Sequence, residues 1–415
     1  MRTPFNSLWR LGRSIGAAWR DDLAERRLPA RLSAAREQLA ELRARGRVPR
    51  IIVIKQDINE DLYCCPPDST AREIVESTLL RSGPVSLFID WNAEFRIINT
   101  VDDPECSIWR ERATHLKWQT LEFFSSYRDV VPGRNYGQKQ FAASPDTIDW
   151  GQFDIVVSID TVVPARITRR FPNTLWCYYV REIKAPAYES SLKSPHPGQD
   201  IVLNHCFRLR TPRLPQHVLE FPYHLQGVGC FHRLFATEAS IDQDRSGVFV
   251  DYHTMSMLSL ESRQQLGEFG FVSSPFLADR DLSVPASIRL ARRTMEPELR
   301  SRLLNSRYFL ITPGARPVFG TSTVEAIAAG CLAIGSKSKV WCNALFTDNT
   351  TAESVEEALV KLRRFEVDQD LFHLELTRQR NLIDYACCVR PMLQLLQTWS
   401  SIIRPTSSRQ VQNAG

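Results

Sequence analysis

No run of 18 or more apolar residues occurs in the chain, so it offers no stretch of the length and apolarity that a membrane-spanning helix needs. No Gly-x-Gly-x-x-Gly follows any apolar run that reads as a strand, which argues against a nicotinamide-dinucleotide enzyme. His-Glu-x-x-His is also missing, and His205, His217, His224, His232 and His253 share no i, i+4 spacing. A structural or catalytic metal is therefore not expected. Asp279-Arg280-Asp281 has the spacing of a divalent-ion pair, but it follows Pro275 in polar sequence with no apolar strand to carry it. Ten cysteines are present, yet Cys64-Cys65 and Cys387-Cys388 lack the two-residue gap of a zinc or redox motif. Cys177, Cys331 and Cys388 sit in or beside apolar runs, where a free thiol behaves as a small hydrophobe. Arg10, Arg13 and Arg20 interrupt the apolar core that a secretory leader requires, so a reduced, cytoplasmic setting is the expectation.

A strong overall charge is lacking as well, once the formal +5 is located. Residues 1–50 hold twelve arginines and five acids, a net +7; the remaining 365 residues hold 40 basic and 42 acidic side chains, a net −2. A nearly neutral body does not offer the basic face that phosphate neutralisation needs, so nucleic acid is not an expected partner.

The basic segment has its own pattern. At 100° per residue, Phe5, Leu8, Trp9, Leu11, Ile15, Ala18 and Trp19 fall on one half of a helix, with Asn6, Arg10, Arg13, Ser14 and Arg20 on the other. Tryptophans opposite arginines fit an interfacial helix, which makes a membrane surface an expected partner through residues 5–20. The competing reading is a helix packed on its own protein, or an arm continuing through Leu28, Leu32, Leu39 and Leu42. Pro29 predicts two helical pieces rather than one. The organisation read from the chain is a basic amphipathic helical arm (1–48), an N-terminal domain (49–236), a C-terminal domain (237–388), and a final helix with a polar tail (389–415). A chain of 415 residues exceeds what one core usually holds.

Within the body, short apolar runs alternate with helical patterns, the mark of parallel α/β sheets. Strands are predicted at 51–54 and 85–89, with a helix at 71–80 between them. A βαβ unit follows: strand 154–158, helix 164–171 and strand 174–180. The Pro- and Ser-rich stretch 186–198, which contains His196, reads as a long surface loop. Residues 237–246 read as a linker, 247–251 as a strand, 252–258 as a loop, and Ser259 as the start of a helix over 259–266. Helices are predicted near 352–364 and 371–389, with Pro391 breaking the second before a last piece at 392–399.

The segment 307–337 is the most informative. It reads as a buried strand (308–311), a loop with Pro313 and Gly314, a short helix, and a second buried strand (332–334). Thr321 or Ser322 can cap the helix, Ala326, Ile327, Ala328 and Ala329 lie close against a sheet, and Gly330 ends it. Glu325 is out of place among these: a carboxylate on an apolar helix is costly to bury without a partner, and the two hydroxyls of a ribose are one such partner.

Pro313, Phe319, Gly320, Glu325, Ala326, Ala328 and Gly330 stand in the register Pro-Ser-x-x-Glu-x-Phe-Gly-x4-Glu-Ala-x-Ala-x-Gly, with Gly314 in place of the Ser. On these residues the segment resembles the donor-binding core of GT-B glycosyltransferases. Its SRYFL…EAIAAGCLAI wording is most similar to exostosin-like members. The resemblance implies two Rossmann-like doubly wound domains facing a cleft, with a nucleotide-diphosphate sugar as co-substrate and no separate cofactor. It implies that Glu325 holds the donor ribose, and that Arg316, Gly314, Gly320, Thr321, Ser322, Thr323 and His253 lie about the donor phosphates. The final helix would cross back to the N-terminal domain, as it does in that fold. The first glutamate of the family pattern is Pro317 here, so the retaining arrangement is not copied.

On the other domain, Asp57 and Glu60 follow the first strand and are candidates for meeting a saccharide or glycolipid acceptor. Asp160 and Glu182 stand at the carboxyl ends of two strands, where a carboxylate can take the proton of an attacking hydroxyl. The function expected is glycosyl transfer in bacterial-type surface polysaccharide or glycoconjugate synthesis. The alternatives are a noncatalytic nucleotide- or sugar-binding protein on the same fold, and a membrane-surface scaffold.

Overall fold

Two all-parallel sheets form the body, and their central strands, such as 155–159 and 308–311, are short apolar runs buried on both faces. The computed structural model describes residues 26–45, 48–56, 88, 91, 93–98, 142–143, 145–159, 162–180, 193–204, 215–221, 245–274, 302–311, 321–337 and 343–403. The N-terminal sheet contains β1 (Ile51–Gln56), β2 (Glu94–Ile98), β3 (Ala142–Ala143), β4 (Ile155–Ile159), β5 (Leu175–Val180), β6 (Ile201–Asn204) and β7 (Val218–Glu220), in the order β3-β2-β1-β4-β5-β6-β7. The C-terminal sheet contains β8 (Val248–Val250), β9 (Val272–Ser273), β10 (Tyr308–Ile311) and β11 (Leu332–Gly335), in the order β11-β10-β8-β9. In both the chain runs outward one way, then returns to the centre and runs out the other way. That is the doubly wound pattern of a Rossmann-like domain.

Strand alternation decides which residues meet which layer. In the N-terminal sheet Ile51, Val53, Ile155, Val157, Ile159, Leu175, Cys177 and Tyr179 share one core with Phe88, Trp91 and Phe221. Their neighbours Ile52, Ile54, Val156 and Trp176 share the opposite core with Trp150, Phe153 and Ile167. Ile167 lies in the short helix α2 (Ala165–Thr168), so the βαβ unit expected around residue 165 is present. The C-terminal sheet is covered on one face by α4 (Leu260–Gly267), α6 (Val355–Val367) and the start of α7 (Gln369–Ile383). On the other it is covered by α5 (Thr321–Ala328) and the end of α7.

Several expectations need correction. The segment 252–258 is not a loop: α3 (Tyr252–Met257) occupies it, leaving β8 through an Asp251 carbonyl that accepts from Met255 N at 2.8 Å. Of the strand expected at 85–89 only Phe88 is among the described residues. Phe88 is helical, its carbonyl accepts from Trp91 N and Ala93 N, and the next strand after β1 among the described residues is Glu94–Ile98. The helix expected at 71–80 lies outside the described residues. Pro391 does not break the chain's helical course. After α7 the backbone widens into a π segment (Asp384–Val389) and continues as α8 (Arg390–Ile403). Proline has no N–H to donate and its ring crowds the carbonyl four residues back, and a π turn there makes the room.

Helix α1 (Leu28–Arg45) and helix α8 tie the two sheets together. Pro29 is in the first turn of α1, where a proline is tolerated. Leu28, Leu32 and Ala35 enter the C-terminal core, while Leu39 and Leu42 pack against both cores. Arg31 Nη2 donates to Tyr385 Oη at 2.9 Å, Arg36 pairs with Asp384, and the Arg43 guanidinium lies 4.1 Å from the Trp91 ring centre. This part of the basic arm is therefore packed on its own protein. Met392, Leu395, Leu396 and Trp399 of α8 fill the N-terminal core, so the final helix does cross back to that domain. Residues 5–20 and the tail beyond 403 lie outside the described residues.

Candidate functional site

A doubly wound sheet has one place where the strand order reverses, and ligands bind there, outside the carboxyl ends of the strands. In the N-terminal sheet the reversal lies between β1 and β4, and in the C-terminal sheet between β8 and β10. Most of the candidates drawn from sequence come, along the chain, directly after the strands that flank these two places. Asp57 and Glu60 follow Gln56, the last residue of β1, and Asp160 follows Ile159, the last of β4. Glu182 stands two residues beyond the end of β5. On the other sheet the chain leaves β8 through Asp251 into α3, which contains His253, and leaves β10 into the segment with Gly314, Arg316 and Gly320 before α5 begins.

Asp57, Glu60, Asp160, Glu182, Gly314, Arg316 and Gly320 themselves lie outside the described residues. For His253, Thr321, Ser322 and Glu325 the backbone alone is described: His253 is helical, and Thr321, Ser322 and Glu325 are the first, second and fifth residues of α5. Thr323 is described in full. It is buried in the first turn of α5, and its Oγ1 has no hydrogen-bond partner among the described residues. A buried hydroxyl left in that state costs free energy. At the amino end of a helix, an anionic ligand oxygen is a chemically suitable acceptor.

Alternation along β10 and β11 explains how α5 is held. Phe309, Ile311 and Ala333 face it and share a core with its Val324, Ala326, Ile327 and Ala328. Its carboxyl end is closed by a Schellman turn: Cys331 N donates to Ala326 O at 2.8 Å and Gly330 N to Ile327 O at 3.0 Å, with Gly330 at φ +94°. Beside this turn Cys331 is fully buried, and burial pushes its thiol up to about 12, which makes it an inert hydrophobe rather than a nucleophile.

Sequence reasoning missed three features, two at the carboxyl ends of strands β8 and β11 and one at the far end of α5. Asp251 is buried at the carboxyl end of β8, an acid directly after the apolar run 248–250, which is the same signal that singled out Asp160. Ser336 follows β11, and its Oγ donates to both oxygens of Glu353, at 3.0 and 2.8 Å, placing a carboxylate beside the edge strand. Arg245, inside the stretch read as a linker, is buried and donates through Nη1 to the carbonyl of Ala329. No local pattern marks a lone arginine in polar sequence for such a role.

No family model and no curated protein sequence matches the chain. Solved structures do. It is similar to Anabaena HepE in complex with UDP, at 10% identity, 85% of this chain and 100% of that one, and a TM-score of 0.39. It is also similar to the β-glucosyltransferase of phage T4, at 10% identity, 85% of this chain and 99% of that one, and a TM-score of 0.38. The T4 enzyme is also known in complex with UDP and Mn2+. Likeness at this level transfers no substrate and no site residue. No described helix is long and apolar enough to cross a membrane.

Proposed function

We propose that the protein is a glycosyltransferase, moving a sugar from a nucleotide-diphosphate donor to an acceptor hydroxyl. One observation carries the reading. Along the chain, Asp57, Glu60 and Asp160 directly follow β1 and β4, and His253 and the 312–320 segment follow β8 and β10, the strand pairs at which two doubly wound sheets reverse their order. Glu325 would hold the ribose hydroxyls, and Arg316 with the first turn of α5 would meet the diphosphate. Asp160 or Glu182 would accept the proton as the acceptor oxygen attacks the anomeric carbon and the diphosphate departs with the bond's electrons. Asp57 and Glu60 would meet the acceptor. The departing charge would be met by protein cations and helix N–H groups without a bound metal. Closeness to exostosin-like enzymes and a place in surface polysaccharide or glycoconjugate synthesis, at a cytoplasmic membrane face, belong to the same proposal. They are supported by the 306–334 wording and the pattern of residues 5–20.

One observation favours a second reading: Pro317 stands where the family pattern has its first glutamate. A protein that binds the nucleotide without turnover would carry such a change. Thermal shift with UDP, GDP, CMP, ADP and dTDP, in EDTA, on wild type and Glu325→Ala tests donor binding. Stabilisation by one nucleotide is expected, weakened in the variant by about 1.5–3 kcal/mol of binding, the range for a hydrogen bond to a charged group. No stabilisation by any of the five sinks donor binding, and with it the glycosyltransferase reading. Stabilisation without detectable hydrolysis or transfer of the matching sugar nucleotide would favour the noncatalytic one.

A further inference from the structure

The carboxyl end of α5 is satisfied beyond what its own turn supplies. The Schellman turn uses the carbonyls of Ala326 and Ile327. The remaining two are taken by side chains from elsewhere in the fold: Arg380 of α7 donates through Nη1 to Ala328 O at 3.3 Å, and Arg245, just before β8, donates through Nη1 to Ala329 O. All four carbonyls of the last turn therefore have donors, two of them guanidinium groups anchored in other elements. Small residues make the approach possible. A Cβ at Gly330 would stand 2.6 Å from Arg245 Nη1, and Ala326, Ala328 and Ala329 are fully buried.

This arrangement is costly. Arg245 is 7% exposed, and its Nε and Nη2 have no hydrogen-bond partner among the described residues. The neighbouring Arg380 charge repels it, and burial lowers the pKa of both groups. Solvent could satisfy a frayed helix end far more cheaply. The fold accepts the cost at the helix whose other end carries Thr323 and Glu325.

We propose that Arg245 and Arg380 are positioning residues for nucleotide binding, fixing the axial placement and rotation of α5 so that Glu325 and the first turn stand in the register a nucleotide diphosphate requires. This rests on the donor-binding reading above. Neither arginine touches the ligand. Both act through the helix, from the end of the sheet opposite the helix's amino end.

The test is calorimetric titration of UDP, GDP, CMP, ADP and dTDP into wild type, Glu325→Ala, Arg245→Met, Arg245→Lys and Arg380→Met, at a temperature where each is fully folded by circular dichroism. Arg245→Met should weaken the nucleotide that wild type binds by about tenfold, which is about 1.4 kcal/mol. Arg245→Lys, which keeps a cationic donor, should recover most of that loss. Arg380→Met should act in the same direction and is less buried, so it decides the matter if Arg245→Met does not fold. A purely structural role predicts a lower melting temperature with unchanged affinity in the folded variants, and that result overturns the inference. If Glu325→Ala loses the nucleotide while both methionine variants keep it, the positioning role fails and the donor site stands. If wild type binds none of the five, both fall.

Discussion

Arg390 opens α8 and Glu220 closes β7, and the ion pair between them pins the final helix to the N-terminal sheet. Nη2 and Oε2 are 2.7 Å apart, with the two side chains 10% and 4% exposed. At an effective dielectric of about 20 the attraction is roughly 6 kcal/mol. Withdrawing each ion from water costs several kcal/mol, so the net value of the intact pair is small. The asymmetry lies in breaking it. Arg390→Leu leaves the Glu220 carboxylate buried without this cation, for which a loss of about 3–5 kcal/mol is expected. Glu220→Leu should cost a similar amount by stranding the guanidinium. The double variant replaces two ions by two apolar groups beside Met392 and Phe221 and should recover most of either loss. Urea unfolding followed by tryptophan fluorescence is a suitable assay, because Trp399 of α8 and Trp176 of β5 are both buried in the N-terminal domain. A double-mutant cycle then gives the coupling directly. Single-variant costs under about 1 kcal/mol, the level of a solvent-exposed pair, would show that the helix is not held there in solution.

Two further outcomes are expected. Burial pushes the Glu375 carboxyl up, but the Arg378 charge and hydrogen bonds from Asn349, Arg378 and Thr347 outweigh it and hold its pKa below the ordinary value. A depressed acid contributes stability that is present above its unfolded pKa, about 4.3, and lost as pH falls through the folded value. Glu375→Gln should therefore be less stable at neutral pH and should lose less on acidification below about pH 5; urea midpoints that fall in parallel with wild type would refute this. Deleting residues 1–20 should abolish sedimentation with anionic liposomes while sparing transfer to a soluble acceptor, given the tryptophan-arginine pattern of that segment. Equal loss of both properties would assign the segment a packing role instead.

The sheets were legible because each central strand is buried on both faces, so runs such as 155–159 and 308–311 stand out as uninterrupted apolar sequence bounded by turn residues. The order of strands was not legible: a βαβ reading fixes parallel neighbours, not the point at which the sheet reverses. Periodicity could not decide the partner of α1 either. Leu28, Leu32, Ala35, Leu39 and Leu42 form a stripe that fits a protein core, a second helix or a membrane equally well, and only the fold shows both cores meeting it. Helix α3 was missed because YHTMSM has no apolar repeat, its course being set by Asp251 at the end of β8.

The candidate site divides along the same line. Glu325 was visible because it contradicts its surroundings, one acid in a helix otherwise fit for burial. Arg245 contradicts its surroundings equally, but only in space. In the sequence it is one charged residue among polar ones; in the fold it is a buried guanidinium spent on one carbonyl. Local misfit singles out a residue whose role the surrounding chain does not explain. Groups that hold such residues in place come from distant elements whose own sequences look ordinary. Gly330 is the trace the second kind leaves: without a Cβ it gives the Arg245 guanidinium room at the helix end, so the glycine read from sequence as a helix stop is also the imprint of Arg245.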